Sequence, residues 1–186
     1  LNGEQLTLRP ELTAGLVRAA IEANLTYNAP ARVYTLGQVF RHERPQKGRY
    51  RQFNQFDVEC FGFDGPDVDA EIMIMTARIW RELGIKDVRL EINSLGNTDE
   101  RAAYRAKLIA HYEANLSALD DEAKRRLHTN PMRILDSKVA SVIEVNKTAP
   151  ILLDSLQDES RAHFEDLQAL LREASVPFVV NPRIVR

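Results

Sequence analysis

The chain has a single cysteine and no long run of apolar side chains among its 186 residues. One cysteine, Cys60, excludes an internal disulfide framework and a zinc site built from several cysteines. No apolar stretch approaches the length that crosses a bilayer, and the first residues carry no signal-peptide pattern, so we expect a cytoplasmic protein. The formal net charge of -2 excludes a polycation that coats nucleic acid through bulk electrostatics. Any anion-binding site must therefore be local.

Hydrophobic periodicity predicts an α+β fold, in which an antiparallel sheet is flanked by helices and interrupted by a mostly helical insertion. The predicted strands are residues 6–8, 32–43, 52–62, 88–92 and 178–180. The predicted helices begin at Thr13 and at Asp67 or Asp69, and three more cover 98–116, 119–128 and 158–174. We place a first domain at 1–96, the insertion at 97–175 and a return to the first domain at 176–186.

The most informative segment is a basic hairpin, defined here as residues 40–61. It carries five cationic side chains between positions 41 and 51, namely Arg41, Arg44, Lys47, Arg49 and Arg51. The loop at 44–51 contains no acidic residue that could pair with them. One guanidinium group can bind two phosphate oxygens at once, and the ring of Phe53 can stack on a base. The pattern predicts a site for a nucleotide or for a nucleic-acid backbone.

The second strand of the basic hairpin has one polar and one apolar face, because side chains alternate along a strand. Its odd-numbered residues from 53 to 61 are two aromatic rings, an amide and two carboxylates, whereas residues 56, 58 and 60 are apolar. Exposed cross-strand ion pairs, each worth about 0–1 kcal/mol, are the simpler interpretation of such charges. Burying an unpaired carboxylate in a dry core costs much free energy. We therefore predict that the polar face lines a cleft and that the apolar face joins the core.

Four segments together carry a resemblance to a known family. They are Phe-Arg-His-Glu at 40–43 with the basic loop and Phe53, Leu-Arg-Pro-Glu-Leu-Thr at 8–13, Leu-Glu-Ile-Asn-Ser-Leu-Gly at 90–96, and Asn-Pro-Arg-Ile-Val-Arg at 181–186. The first resembles motif 2 of the class II aminoacyl-tRNA synthetases. The other three resemble the histidine-binding segment, the strand before the insertion and the approach to the catalytic arginine in the histidyl-tRNA synthetase family. The resemblance spans nearly the whole chain and implies a class II catalytic fold.

The resemblance also implies an activity for a longer protein. That protein would join histidine to the α-phosphate of ATP, release pyrophosphate, and pass the histidyl group to the 3′ end of histidine tRNA. It would use ATP as a substrate with Mg²⁺ on the phosphates and no protein ligand for the metal, and it would be a homodimer. Because motif 1 would precede Leu1 and motif 3 would follow Arg186, we expect this chain to be poorly active or inactive in isolation.

Roles for single residues follow from the same resemblance. The residues implied for ATP are Arg41 at the α-phosphate, Glu43 at the adenine amino group, Arg49 at the distal phosphates and Phe53 at the adenine ring. Those implied for histidine are Glu11, Thr13, Arg41, Gln55, Glu59 and Arg186. Arg41 and Arg186 would be catalytic. The candidate tRNA contacts are Arg44, Gln46, Lys124, Arg125 and Arg126, and no residue is assigned to a metal.

Two other functions fit parts of the pattern. A non-catalytic, synthetase-like regulatory subunit of ATP phosphoribosyltransferase would keep the fold and bind histidine without making an adenylate. Such a subunit has no need for an ATP-binding set, and the presence of that set argues against it: Arg41, Glu43, Arg49, Phe53 and Arg186 occur together. A nucleic-acid-binding module with a basic hairpin would bind in a salt-sensitive way and without dependence on histidine. Histidine-dependent ATP–pyrophosphate exchange separates the three.

Overall fold

The computed structural model describes residues 2–44 and 46–184, which form two compact units, Leu1–Asp64 and Gly65–Arg186. The helices are α1 (Thr13–Glu22), α2 (Pro66–Glu82), α3 (Thr98–Glu113), α4 (Asp121–Arg126), α5 (Ala140–Lys147) and α6 (Asp158–Glu173). The strands are β1 (Ala31–Phe40), β2 (Gln52–Phe61), β3 (Leu90–Ile92) and β4 (Phe178–Val180). Each unit contains both helices and strands, which confirms the predicted α+β class.

The first unit consists of α1 and the long antiparallel hairpin of β1 and β2. Their register runs from Ala31 opposite Phe61 to Phe40 opposite Gln52. The backbone before α1 is fixed to the hairpin where the Phe40 N–H donates to the Arg9 carbonyl at 2.8 Å. The predicted strand at 6–8 is wrong. Among the described residues no strand pairs with that segment, and an extended backbone needs such a partner to form a ladder.

The second unit contains two hydrophobic clusters. One packs α2 and α6 against β3 and β4 around Ala70, Ile92 and Leu171. The other joins α3, α4 and α5, and its buried residues run from Tyr104 to Leu152. In α3 the spacing of Tyr104, Leu108 and Tyr112 places all three on one helix face, and none of them is exposed to solvent. No helix of the described residues is long and apolar enough to cross a membrane.

Two features of the second unit differ from the prediction. β3 and β4 are parallel, with Leu90 opposite Phe178, rather than part of an antiparallel sheet. A parallel pair requires a long crossover, and here α3 to α6 all lie between the two strands. No helix was predicted between residues 128 and 158, but the structure contains α5 there. Val142 and Val145 bury that short helix in the cluster around α3, although it is too short to show a clear sequence period.

Candidate functional site

A cavity of about 360 Å³ lies where the basic hairpin turns. It is lined by Arg41, Glu43, Gly48, Arg49, Tyr50 and Phe53. Gly48 has a φ of +80°, a conformation that glycine adopts without strain. This turn allows the Arg49 N–H to donate to the Gln46 carbonyl at 2.9 Å. The four residues that the sequence analysis assigns to ATP therefore meet around one cavity.

The cavity combines two guanidinium groups with one aromatic ring. The Arg41 guanidinium carbon lies 5.1 Å from the centre of the Phe53 ring, and Arg41 Nε donates to the Pro10 carbonyl at 2.8 Å. Arg49 Nη1 donates to Glu43 Oε2 at 3.3 Å. The Arg49–Glu43 pair is partly exposed, and such pairs contribute about 0–1 kcal/mol, so a phosphate group can replace the carboxylate at little cost. The arrangement suits a base on a ring beside several phosphate oxygens.

The amino end of α1 lies on the polar face of β2. Gln55 Oε1 accepts a hydrogen bond from the Leu12 N–H at 3.3 Å, and Thr13 Oγ1 donates to Asp57 Oδ2 at 3.4 Å. Leu12 itself is buried. Thr13 and Gln55, which are distant in the sequence and are both candidates for binding histidine, thus lie close together at the start of α1.

Glu11 lies at the start of α1 with its carboxylate bound to the helix backbone. Its Oε1 accepts from the Ala14 N–H at 3.0 Å. This bond is the largest cause that lowers the pKa of Glu11 below its usual range, and the polar side chain of Thr13 beside it adds to the effect. The negative charge is therefore retained well into the acidic range, at a position open to solvent. An ammonium group is the natural partner of such a carboxylate.

Glu59 extends the same polar face towards the other end of the hairpin. It lies opposite Val33 and is half-buried. Because strand residues two apart point the same way, Gln55, Asp57 and Glu59 form a row along β2. An amide and two carboxylates in a row favour a cationic or hydrogen-bonding ligand over an anionic one.

Arg9 reaches this polar face without having been selected from the sequence. Its Nε donates to the Gln38 carbonyl at 2.8 Å. Gly37 lies opposite Gln55, and a Cβ atom at Gly37 would stand only 2.5 Å from Arg9 Nη2. A glycine inside a predicted strand is a sign of such a close approach, but it does not indicate which residue approaches.

The prediction for the apolar face of the hairpin is wrong for the described residues. Phe56 is 54% exposed, and its neighbours Tyr34 and Leu36 on β1 are exposed as well. The rings of Tyr34 and Phe56 pack on each other, with centres 5.8 Å apart. Within the first unit, α1 and the segment before it cover the polar face instead, because the backbone and side-chain polar groups at the start of α1 bind Gln55 and Asp57.

The remaining candidates are dispersed. Arg44 is exposed on the loop, and Gln46 pairs with Arg49 in an isolated bridge. Lys124, Arg125 and Arg126 form the last turn of α4, where cations stabilise the helix dipole. Arg186 lies outside the described residues. Within 2–44 and 46–184, no group of three or more histidine, cysteine or carboxylate side chains could hold a metal ion.

Comparison with known proteins identifies relatives over the whole chain. The family model for the tRNA synthetase class II core domain (G, H, P, S and T) matches residues 1–150. The chain is 58% identical to the histidine–tRNA ligase of Paraburkholderia phytofirmans and 59% identical to that of Dechloromonas aromatica. These alignments cover 100% of the chain but 42% and 43% of the two relatives. The chain therefore spans less than half the length of these curated relatives.

A solved structure supports the same relationship at the level of the fold. The crystal structure of apo S. aureus histidyl-tRNA synthetase matches with a TM-score of 0.77 and 37% sequence identity. The match covers 100% of the chain and 43% of that structure. The predicted class II arrangement of sheet and helices is confirmed by this likeness.

Proposed function

This chain belongs to the family of class II tRNA synthetase core domains, and on that premise we propose that it is part of the catalytic region of a histidine–tRNA ligase. The whole protein would activate histidine with ATP and transfer the histidyl group to the 3′ end of histidine tRNA. One observation supports this most strongly. The four residues that the resemblance assigns to ATP line a single cavity, and the residues assigned to histidine include Thr13, Gln55 and Glu11 around the start of α1.

In the proposed first step, the carboxylate of histidine attacks the α-phosphorus of ATP and pyrophosphate leaves. The nucleophile is already an anion, so the reaction needs no base to remove a proton from it. Charge grows on the phosphoryl oxygens instead, and fixed cations lower the barrier. Arg41, held by Phe53 and the Pro10 carbonyl, would bind the α-phosphate. Arg49 would exchange Glu43 for the distal phosphates, which frees the Glu43 carboxylate to accept from the adenine amino group.

The amino acid would lie across the start of α1 and the polar row of β2. Glu11 keeps its charge because backbone donation from Ala14 lowers its pKa, and it would bind the α-amino group. Gln55 and Glu59 would reach the imidazole. A carboxylate beside an imidazole discriminates well, because an apolar side chain in its place would leave that carboxylate unpaired. Arg186 is proposed as the catalytic arginine, on the resemblance alone.

The metal and the partners are proposed on the same basis. Mg²⁺ usually binds through substrate phosphates and one or two carboxylates. Glu43 is the one carboxylate among the described residues that line the cavity, and it is engaged by Arg49, so the donor set suits phosphates rather than a metal held by the protein. We propose that Mg²⁺ enters with ATP. The proposed partners are histidine, ATP, histidine tRNA and a second copy of the full protein, in the cytoplasm where tRNA is charged.

The proposed division into domains also remains a proposal. We assign residues 97–175 to an insertion that rests on the tRNA acceptor stem, with Lys124, Arg125 and Arg126 as phosphate contacts. The separate hydrophobic cluster between Tyr104 and Leu152 supports an insertion with a core of its own. Arg44 and Gln46 are the candidate contacts on the hairpin loop.

Histidine-dependent ATP–pyrophosphate exchange by the full-length protein tests the proposal. We expect Arg49→Gln to lower kcat/KM for ATP about a hundredfold, which corresponds to about 2.7 kcal/mol, through loss of charged hydrogen bonds to the distal phosphates. Arg18→Gln is the matched control, because Arg18 is an exposed arginine on α1 that pairs with Glu22. It should leave the exchange unchanged.

Two results would contradict the proposal. A folded full-length protein that binds histidine but catalyses no exchange would support the regulatory subunit. Binding of RNA that falls steeply with salt and ignores histidine, again without exchange, would support the nucleic-acid-binding module.

A further inference from the structure

The segment 181–184 is bound to β3 and to the residue that follows β3 by three hydrogen bonds. The Asn181 N–H donates to the Ile92 carbonyl at 2.9 Å, and Asn181 Nδ2 donates to Glu91 Oε2 at 2.6 Å. Asn93 Nδ2 donates to the Ile184 carbonyl at 2.6 Å. The backbone of this segment is thus held along one side by consecutive residues of β3 and the position after it.

Arg183 fastens the other side of the segment to the carboxyl end of α5. Its Nη1 donates to the Ala149 carbonyl at 3.1 Å and its Nη2 to the Lys147 carbonyl at 3.2 Å. The last carbonyls of a helix have no partner within the helix, and a cation at that end is favoured by the helix dipole. A planar guanidinium can bind the Lys147 carbonyl at the end of α5 and the Ala149 carbonyl two residues beyond it at once, which a lysine cannot do with the same geometry.

The end of α5 is joined by buried contacts to the cluster that packs α3, α4 and α5 together. The Tyr112 hydroxyl donates to Asn146 Oδ1 at 2.8 Å, and Asn146 Nδ2 donates to the Ile134 carbonyl at 2.9 Å. Both bonds are buried, and Ala149 is buried in the same cluster. A displacement of this cluster therefore displaces the two carbonyls that Arg183 binds.

We infer that Arg183 is a positioning residue that couples the helical region between α3 and α5 to the segment 181–184. Arg186 lies three residues after Arg183 in the sequence. The inference rests on the proposed function in one respect, since Arg186 is there the catalytic arginine. The guanidinium of Arg183 sets the position of the segment 181–184, and contacts made by the helical region are transmitted through it.

A purely structural helix cap predicts different behaviour from a positioning residue. Loss of a cap lowers the free energy of unfolding and leaves the kinetics of the folded enzyme unchanged. Loss of a positioning contact misplaces a catalytic group, so it lowers kcat while the affinities for substrates, set elsewhere, change little.

The kinetic test compares Arg183→Gln, Arg183→Lys and Arg105→Gln in the full-length protein. Arg105 is the matched control, because its guanidinium donates to the His128 carbonyl, an acceptor inside the helical region. We expect Arg183→Gln to lower kcat of pyrophosphate exchange about tenfold, or about 1.4 kcal/mol, with both KM values changed less than about twofold. Arg183→Lys should recover part of the loss and Arg105→Gln should show none. Equal loss in the Arg105 variant, or a normal kcat in both Arg183 variants, would overturn the inference.

Hydrogen exchange separates a failure of this inference from a failure of the proposed function. The Asn181 N–H binds Ile92, not Arg183, so its exchange reports the position of the segment. We expect faster exchange of this amide in Arg183→Gln and wild-type exchange in Arg105→Gln, whether or not the protein catalyses pyrophosphate exchange. An unchanged Asn181 amide in Arg183→Gln would refute the coupling. A wild-type protein without pyrophosphate exchange, but with the expected amide behaviour, would refute the proposed function alone.

Discussion

At the scale of single residues, Gly37 decides what can lie on the polar face of the hairpin. It stands opposite Gln55, and the absence of a Cβ leaves room for the Arg9 guanidinium. Arg9 is held there by its bond to the Gln38 carbonyl. The absence of a Cβ at Gly37 thus allows the Arg9 guanidinium to lie beside a row of two carboxylates and an amide.

We predict that Gly37→Ala impairs function without unfolding the protein. The added Cβ would displace the flexible end of Arg9, whereas its distance of 3.6 Å to Leu12 Cδ2 is an ordinary contact. Alanine costs less backbone entropy than glycine in a strand, by roughly 0.5–1 kcal/mol, so the melting temperature should be equal or higher. Because Gly37 lies opposite Gln55, which is proposed to bind histidine, the displaced Arg9 side chain should disturb that site and raise the KM for histidine in pyrophosphate exchange several-fold. Gly15→Ala, where a Cβ would meet open space, is the control, and an equal change in KM there would contradict the prediction.

The chemistry of the cavity could be predicted from residue types, whereas Arg9 could not. Arg41, Glu43 and Arg49 lie in the connection between β1 and β2, and Phe53 lies near the start of β2, so the turn of one hairpin is enough to bring them together. Arg9 meets its partner Gln38 across 29 residues. Its arrival depends on how the segment before α1 folds back, which no local pattern specifies.

At the scale of secondary-structure elements, Glu100 joins the beginnings of two helices. Its Oε2 accepts from the Asn97 N–H at 2.7 Å at the start of α3, and its Oε1 accepts from the Gln157 N–H at 2.5 Å at the start of α6. The side chain is only 2% exposed. Burial alone would raise the pKa of Glu100, but the backbone donors outweigh it and the pKa is lowered.

We predict that this carboxylate makes part of the stability depend on pH. Because its folded-state pKa is below the unfolded value, its contribution is complete above the usual glutamate pKa and is lost as pH falls through the lowered folded-state pKa. Glu100→Gln offers one acceptor oxygen where two are used, so the free energy of unfolding at neutral pH should fall by about 2 kcal/mol. Urea unfolding between neutral and acidic pH measures both effects.

Glu165→Gln is the control for Glu100, because Glu165 lies exposed on α6. It should change neither the stability at neutral pH nor its slope against pH. A Glu100→Gln protein that loses stability in acid as steeply as the wild type would contradict the prediction. The start of α3 at residue 98 was predicted from the sequence, and the structure closes it with a capping box between Asn97 and Glu100. The bond from Glu100 to Gln157 spans 57 residues and was not predicted.

At the scale of the whole molecule, the two units differ in how much core they possess. Among the described residues up to Asp64, the buried hydrophobic side chains are Leu12, Ala20 and Val39. The second unit has two clusters that extend over five helices and two strands. A hairpin of two strands is marginally stable in water without a larger core. The rings of Tyr34 and Phe56 are exposed, so they add little buried apolar area to stabilise the first unit.

We predict that residues 65–186 fold alone and residues 1–64 do not. The longer fragment should give a cooperative thermal transition by circular dichroism, matched by the fluorescence of Trp80, the single tryptophan of the chain. The shorter fragment should lose its signal gradually on heating, because few buried side chains stabilise it. A sharp transition in the fragment 1–64 would show that the hairpin and α1 are stable by themselves and would contradict the prediction.

The type of most elements and the chemistry of the basic hairpin follow from the order of the residues alone, because hydrophobic periodicity and a single turn are local properties. Tertiary structure decided which face of the hairpin is covered, that β3 and β4 run parallel, and that Arg183 reaches the end of α5. These outcomes depend on contacts between residues that lie tens of positions apart. Such contacts are selected by the packing of whole elements, and the energy of that packing does not appear in any local pattern.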